Sequence, residues 1–532
     1  MQKTETSPTQ PRDMKLFWQT LLMTVFIVSF TIVCTEKAQA GNPLYMAADN
    51  TPLIWDTTQT IKYKVDPKGL GKLSYSESVA LVQIALSVWE NVADVNIKFE
   101  YLGPLNEALN ADNWESVASN NIYAEAQDTT NMTATQSQQQ HYVVIGFDNT
   151  GEIMTAKGSA NATGVQSITG VLGTYEDPQF ITSAHVFING LYYNGTDNDA
   201  VDLNLVDLLA IVIHELGHTL GLDHTLFNYD IYQDILSGSI DSSNARFLPT
   251  MFPRFVQSTG EHIVSLHPDD IATLQWLYGD GATGTISGEI SDAGGSPVET
   301  MLVTVRNTAS PLCEAYSQST SILCSDLNTS PSGDGQAYFN ASYCLDGYQL
   351  GTYQIPLLEN GSYTIDVQEI PEQFSSSIAR FDYSVREIPG GAEFYNTLDE
   401  ANEDTFAITP VNFMQYNLYN KDIVLASTVS GYGDAERVGY AYFETDPLFE
   451  TTETNDTYCP ETGDITEDMI AETLSQANFA ISSDLQEDTQ TPIGGCSLRP
   501  LNKTHKTQSL SFLCITLFAL VCLSTSRLVK SL

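Results

Sequence analysis

A chain of 532 residues is too long for one ordinary domain, and its 42% hydrophobic content is enough to build real cores in two or three. Its 66 acidic against 22 basic residues leave a net charge of −44, a field that repels polyanions and argues against nucleic acid or an anionic membrane surface as partner. The plainer meaning of that charge is a highly soluble extracellular or salt-tolerant surface, and acidity alone does not show calcium binding.

Residues 1–40 read as an export signal. Arg12 and Lys15 give a positive start, Leu16 to Cys34 is largely apolar, and Ala38-Gln39-Ala40 forms a small-residue cleavage site before Gly41. An uncleaved membrane anchor is the alternative. Val33 stands where a lipoprotein cysteine needs a small residue, which argues against lipidation of Cys34. The mature chain is therefore expected outside the cytoplasm, starting near Gly41.

From Trp55 to about Asp280 strands and helices alternate. Thr60 to Val65 reads as a half-buried strand. Leu73 to Ser76 leads into a helix from Glu77 to Val92, with Val79, Val82, Leu86 and Trp89 on a broad apolar face. Val95 to Tyr101, Tyr142 to Phe147 and His185 to Asn189 read as further strands. Asn110 to Gln140, rich in Asn, Ser, Thr and Gln, reads as a surface insertion. Asp202 to Leu220 is a long helix whose inward face includes Val206, Leu209, Ile213 and Gly217.

That helix runs into the most informative stretch, Ile211 to His224, I-V-I-H-E-L-G-H-T-L-G-L-D-H. His214 and His218 are one helical turn apart on one face. Two imidazoles so placed can grip one Zn²⁺, each at about 2.0–2.1 Å. Glu215 lies beside the pair, placed to hold a water instead of the metal. Gly221 lets the chain leave the helix in a conformation that costs other residues more, and the turn brings His224 round as a third ligand. Three protein ligands with one position open make a catalytic zinc site; a fourth side chain would make it structural. The competing picture, a helix with ordinary surface histidines, must place three of the chain's eight histidines within eleven residues.

The spacing H-E-x-x-H-x-x-G-x-x-H is the metzincin signature. Across roughly Trp55 to Gly279 the chain resembles the matrixin branch of that family. The resemblance is carried by L-G-L-D-H at residues 220 to 224 and by Leu248-Pro249-Thr250-Met251-Phe252-Pro253, which is similar to the matrixin Met-turn. It also rests on the run from His267-Pro268-Asp269-Asp270-Ile271 to Trp276-Leu277-Tyr278-Gly279, and on A-L-S-V-W ending at Trp89. It implies an α+β metzincin domain over residues 41–283, with a twisted, mostly parallel sheet and three main helices. It further implies zinc-dependent peptide-bond hydrolysis, with His214, His218 and His224 as ligands and Glu215 as general base, then general acid. Met251 would underlie the metal; read alone, it is more simply a core filler. An extended substrate would lie along the edge strand near Ala184 to Asn189, and Pro253 to Phe255 would wall the specificity pocket.

Two departures from the family pattern stand out. Only about a dozen residues separate Gly41 from the domain, and none is a cysteine able to block the zinc. Upstream of the zinc helix only His141 and His185 are available, so no second, structural zinc is expected. Calcium stays open, with Asp148, Asp197, Asp199 and Asp202 as candidates against helix capping or a solvated loop.

Residues 284 to 305 read as two short alternating strands joined by a Gly/Asp turn, followed by strands at 353 to 355 and 357 to 367. Over residues 284–430 these resemble a carboxypeptidase-regulatory-like, all-β prealbumin-type sandwich, which implies a spacer or binding module. Cys313, Cys324, Cys344 and Cys459 form an even set that favours two disulfides, Cys313 with Cys324 first among three connectivities. Free buried thiols are the alternative. Residues 431–493 read as an acidic linker, with Glu444 to Thr491 an extended stalk interrupted by a helical patch at Asp468 to Ala480.

Residues 494–532 hold Gly494-Gly495-Cys496, an apolar run from Leu510 to Leu523, then Arg527 and Lys530. The run is shorter than the ~20 residues of an ordinary spanning helix. The tail resembles the Gly-Gly-Cys class of bacterial sorting tails, which implies contact with the membrane and with a sorting protease; a plain membrane anchor is the alternative. The protein so read is a monomeric zinc endopeptidase, secreted or surface-anchored, acting on extracellular protein or peptide substrates. Its rivals are an inert adhesion protein on a metzincin fold and a metal-dependent hydrolase of some small amide.

Overall fold

Alternation of apolar side chains builds the first core on a sheet of five strands: β1 (Ile61–Val65), β2 (Phe99–Pro104), β3 (Tyr142–Asp148), β4 (Gly164–Gly170) and β5 (Ile181–Asn189), in spatial order β2-β1-β3-β5-β4. The computed structural model describes, isolated positions aside, residues 54–116, 142–156, 164–170, 180–195, 203–256, 264–279, 284–320, 351–370, 393–395, 408–425 and 467–484. The chain divides into two compact units, Met1–Ile481 and Ser482–Leu532.

Strands β1, β2, β3 and β5 run parallel, and β4 pairs antiparallel to β5. β3 is buried along its whole length, as a strand covered on both faces must be. Its Val143, Ile145 and Phe147 join one apolar cluster while Tyr142 and Val144 join another, the period of two expected of a strand. Helix α1 (Tyr75–Glu90) is started by Ser74, whose side chain accepts from the Glu77 amide while Glu77 reaches back to complete a capping box. Its Val79, Val82 and Trp89 share the first cluster with the long helix.

After the short α2 (Glu152–Ala156) comes that long helix, α3 (Leu205–Thr219), capped by Asn204. His214 is its only residue not fully buried. Helices α4 (Tyr229–Ser237) and α5 (Pro268–Tyr278) follow. The expected sheet and helices are present, with shifts. α1 starts two residues early, and β2 begins at Phe99, not Val95. β4, α2 and α4 were not foreseen. The G-V-Q-S-I-T-G of β4 lacks the apolar run that marks an inner strand.

β4 forces one correction. The segment Ala184 to Asn189 is not an edge, because β5 pairs with β3 on one side and β4 on the other. Among the described residues the outermost strand on that side of the sheet is β4.

Beyond α5, two sheets enclose a second core. One runs β11-β10-β7-β8, with β12 also paired to β10; it is built from β7 (Met301–Asn307), β8 (Ala315–Ser319), β10 (Gly361–Glu369), β11 (Glu393–Phe394) and β12 (Val411–Phe413). The other is β13-β6-β9, from β6 (Thr285–Asp292), β9 (Thr352–Pro356) and β13 (Ile423–Leu425). Val303, Val305, Ile365 and Val367 from the first meet Ile286, Ile290, Ile355 and Ile423 from the second. The turn expected between β6 and β7 exists, since Asp292 Oδ1 accepts from the amides of Gly294 and Ser296, both at 2.8 Å. The two strands nevertheless belong to different sheets. Alternation identifies a strand without naming its partner.

The segments on either side of residue 284 share a third cluster, in which Leu226, Ile231, Leu248 and Phe252 pack with Leu302, Leu312 and Ile370. A last helix, α6 (Glu467–Asp484), covers the expected helical patch, and its Ile470 and Leu474 are buried in the first cluster. That part of Glu444 to Thr491 is thus packed helix and not extended stalk. The export signal at 1–40, most of the insertion within 110–140, Asp197, Asp199 and Asp202, the partner cysteines Cys324, Cys344 and Cys459, and the tail at 494–532 lie outside the described residues. Among the described residues no helix is long and apolar enough to cross a membrane.

Candidate metal centre

Three aromatic residues from different parts of the chain hold α3. Trp89 Nε1 donates to the Ile213 carbonyl at 3.0 Å, Trp55 Nε1 to the Thr219 carbonyl at 2.7 Å, and the Tyr278 hydroxyl to the Leu220 carbonyl. The latter two satisfy carbonyls at the helix end, which have no partner inside the helix. Gly217 makes a close approach possible: a Cβ there would fall 2.5 Å from Met251 Sδ and 2.7 Å from Trp89 Cζ2. Gly221 takes φ of 87°, the left-handed conformation expected of it, as the chain leaves the helix.

The exit turn brings the third imidazole back. The candidate ligand atoms of His214, His218 and His224 all lie within 4.8 Å of one another. His218 Nε2 and His224 Nε2 are 3.1 Å apart. Two nitrogens held tetrahedrally at about 2.0–2.1 Å from one zinc would stand roughly 3.3 Å apart, so the spacing suits a shared ion. His214 Nδ1 lies 2.7 Å from the Thr250 carbonyl, and His218 Nδ1 lies 2.8 Å from the Leu222 carbonyl. A carbonyl only accepts, so each Nδ1 carries the proton and each Nε2 presents a lone pair. Burial lowers the pKa of both rings, and for His218 the two neighbouring imidazoles lower it further. Both therefore stay neutral, the form a metal requires. Among the described residues no further His, Cys, Asp or Glu joins the group. The donor set fits one zinc with a position left open.

Glu215 is buried, and among the described residues its carboxylate has no hydrogen-bond partner. Burial pushes its pKa up to about 8. A dication nearby would act in the opposite direction.

The run 248 to 253 does form a turn beneath the site, with Met251 buried against Gly217. What holds it was not foreseen. Asp270 Oδ2 accepts from the amides of Thr250 and His267, both at 2.9 Å, and Asp270 Oδ1 from that of Met251 at 3.1 Å. Asp270 thereby places the Thr250 carbonyl that sets the His214 tautomer. The only trace in the sequence is an acid three residues into a helix, which signals a cap and no more.

Residues 54–247 match the family model for matrixin. The match supports a matrixin-like metzincin domain and a zinc-metalloprotease kind of function. It ends just before the turn at 248–253, so Met251 and α5 rest on the geometry. No curated protein matches the chain.

Other expected residues of the matrixin-like domain fall elsewhere. Ala184 is buried between Val143 of β3 and Ile168 of β4. Pro253 follows the turn and is partly exposed, beside a Phe252 ring whose centroid lies 5.3 Å from that of Tyr232 of α4, the two rings tilted by 48°. Asp148 accepts from the Met154 amide at 2.8 Å and the Thr150 amide at 3.4 Å, which is local capping of α2. An unforeseen contact touches the exit turn: the Leu44 amide donates to the Gly221 carbonyl at 2.7 Å, and Pro43 bridges Leu222.

Proposed function

We propose that the protein is a zinc-dependent endopeptidase that hydrolyses peptide bonds of proteins outside the cell. The observation that carries this reading is the meeting of three imidazoles, two with tautomers set by backbone carbonyls, next to the buried carboxylate of Glu215. His214, His218 and His224 would hold a Zn²⁺, which would supply Lewis acidity toward a carbonyl oxygen and toward water. Glu215 takes the proton of the attacking water and later delivers it to the leaving amine. Its buried setting gives it a stronger hold on a proton than an exposed carboxylate has.

The substrate adds as an extended strand to the open edge of β4, so backbone bonds hold it and pockets select its side chains. Pro253 to Phe255 wall the pocket beyond the scissile bond. Export by residues 1–40, retention by the Gly494-Gly495-Cys496 tail, pairing of Cys313 with Cys324, and a prealbumin-type identity for β6 to β13 extend the reading from the sequence.

The deciding test is zinc content together with cleavage of a quenched peptide library, with and without a hydroxamate chelator. Wild type should bind one zinc and cut within peptides, and Glu215→Ala should keep the zinc and lose turnover. A zinc-loaded wild type that cuts nothing would leave an inert binding protein on this fold. Near-normal turnover by Glu215→Ala would remove the role given to that carboxylate.

A further inference from the structure

The loop that carries His224 is held by the strands beyond residue 284. Thr225 Oγ1 lies 2.6 Å from Ser317 Oγ on β8. The Ser317 amide donates to Asp269 Oδ1 of α5 at 2.7 Å. Three residues further on, Asn228 Nδ2 donates to the Leu312 carbonyl at 2.9 Å, and Asn228 Oδ1 accepts from the Arg306 guanidinium at 2.6 Å. Arg306 in turn pairs with Asp366 of β10 at 3.2 Å. Every one of these side chains is buried. The Thr225 amide also donates to the Met251 carbonyl at 3.1 Å, which ties the loop to the turn under the metal site.

A module merely tethered to an enzyme keeps a polar, hydrated interface and moves relative to it. Here an arginine and an aspartate have been taken out of water at the junction. That is tolerated only where geometry stays fixed and every hydrogen bond is made, because either charge left unpaired would cost several kcal/mol (~3–5). Phe252 belongs to the same buried cluster as Leu302, Leu312 and Ile370. The turn under the metal site therefore rests on the second set of strands as well.

We propose that the strands after residue 284 are a fixed support of the metal centre, with Ser317 and Arg306 acting as positioning residues for His224 through Thr225 and Asn228. The proposal rests on reading the three histidines as a zinc site. His214 and His218 are steadied from within the first core, whereas the backbone on which His224 sits is steadied from the second as well. The domain read from sequence as a spacer or binder is then part of the enzyme's working geometry.

The test uses the full exported chain with Asn228→Gly and, separately, Ser317→Ala. Asn228 takes φ of 62°, which glycine adopts freely, so the first variant removes the tethers, together with the Asn228 Nδ2 bond to the Phe247 carbonyl at 2.7 Å, without straining the backbone, and Ser317→Ala tests the support with that bond intact. Arg306 keeps its bonds to Asp366 and to the Pro311 carbonyl, so the buried pair survives. Zinc affinity is read by competition with a fluorescent chelator, and kcat and KM are read separately on one peptide. Both folded variants should bind zinc about 3- to 10-fold more weakly, less than the ~10- to 100-fold typical when a group bonded to a ligand is lost. At saturating zinc kcat should fall with KM little changed. Unaltered zinc affinity and kcat in both variants would overturn the proposal. A wild type that binds zinc but cuts nothing overturns the endopeptidase reading alone, since zinc affinity still judges the support. A wild type that binds no zinc overturns both.

Discussion

Met251 Sδ lies 2.5 Å from the point at which a Cβ on Gly217 would fall. The contact joins the helix that carries two candidate ligands to the turn that fixes the tautomer of one of them. Gly217→Ala would gain roughly 0.5–1 kcal/mol from a better helix former. Overpacking against Met251 and the rigid Trp89 ring should cost more, about 1–3 kcal/mol. Net destabilisation of up to about 2.5 kcal/mol is expected in denaturant unfolding, and a clearly stabilised variant would refute the packing account.

Asp270 accepts from three backbone amides at once. Asp270→Ala should cost about 2–4 kcal/mol, because buried donors lose a charged acceptor. Zinc affinity should fall as well, since the Thr250 carbonyl then loses its support. Asp270→Asn, which retains one oxygen, should do less harm on both counts. Equilibrium dialysis and thermal melts of the two variants compare these outcomes.

Asp269 sets a pH dependence. Burial first, then the neighbouring Asp270 charge, raise its pKa from 3.8 to about 8, against the lowering by the Ser317 amide and the Thr225 hydroxyl. The folded pKa lies above the unfolded one, so between them the folded protein binds more protons. Its contribution to stability is present in full below pH 3.8 and is lost as pH rises through about 8. Asp269→Asn keeps an acceptor but cannot ionise. The melting temperature of wild type relative to this variant should therefore fall from pH 4 to pH 8; a flat or rising difference contradicts the assignment.

Metal removal should act on stability as well as on turnover. An ion that binds only the folded chain adds RT ln(1 + [L]/Kd), about 2.7 kcal/mol at a hundredfold excess over Kd. Melting temperature should rise with free zinc and fall with a chelator, in wild type and in Glu215→Ala alike. If zinc leaves the melting temperature of both unchanged, the three histidines do not bind it when folded.

The motif from His214 to His224 was legible because its geometry is local. The helical period places His214 and His218 one turn apart, and Gly221 announces the turn that returns His224. Inner strands such as β3 were legible for a similar reason, since a run of buried apolar residues is written along the chain. β4 was not, because a Gly- and Ser-containing edge strand carries no apolar run, and the edge was consequently placed one strand too far in.

By itself, then, the sequence determined the candidate ligands, the carboxylate beside them and the helices that carry them, all consequences of short-range spacing. Only the tertiary structure decided what keeps them in place: Asp270 under the Met251 turn, Trp55 and Tyr278 at the helix end, and Ser317 and Arg306 on the loop after His224. Those partners stand tens of residues or more from the groups they hold. A hydrogen bond across such a separation depends on how strands and helices pack, which no local pattern encodes.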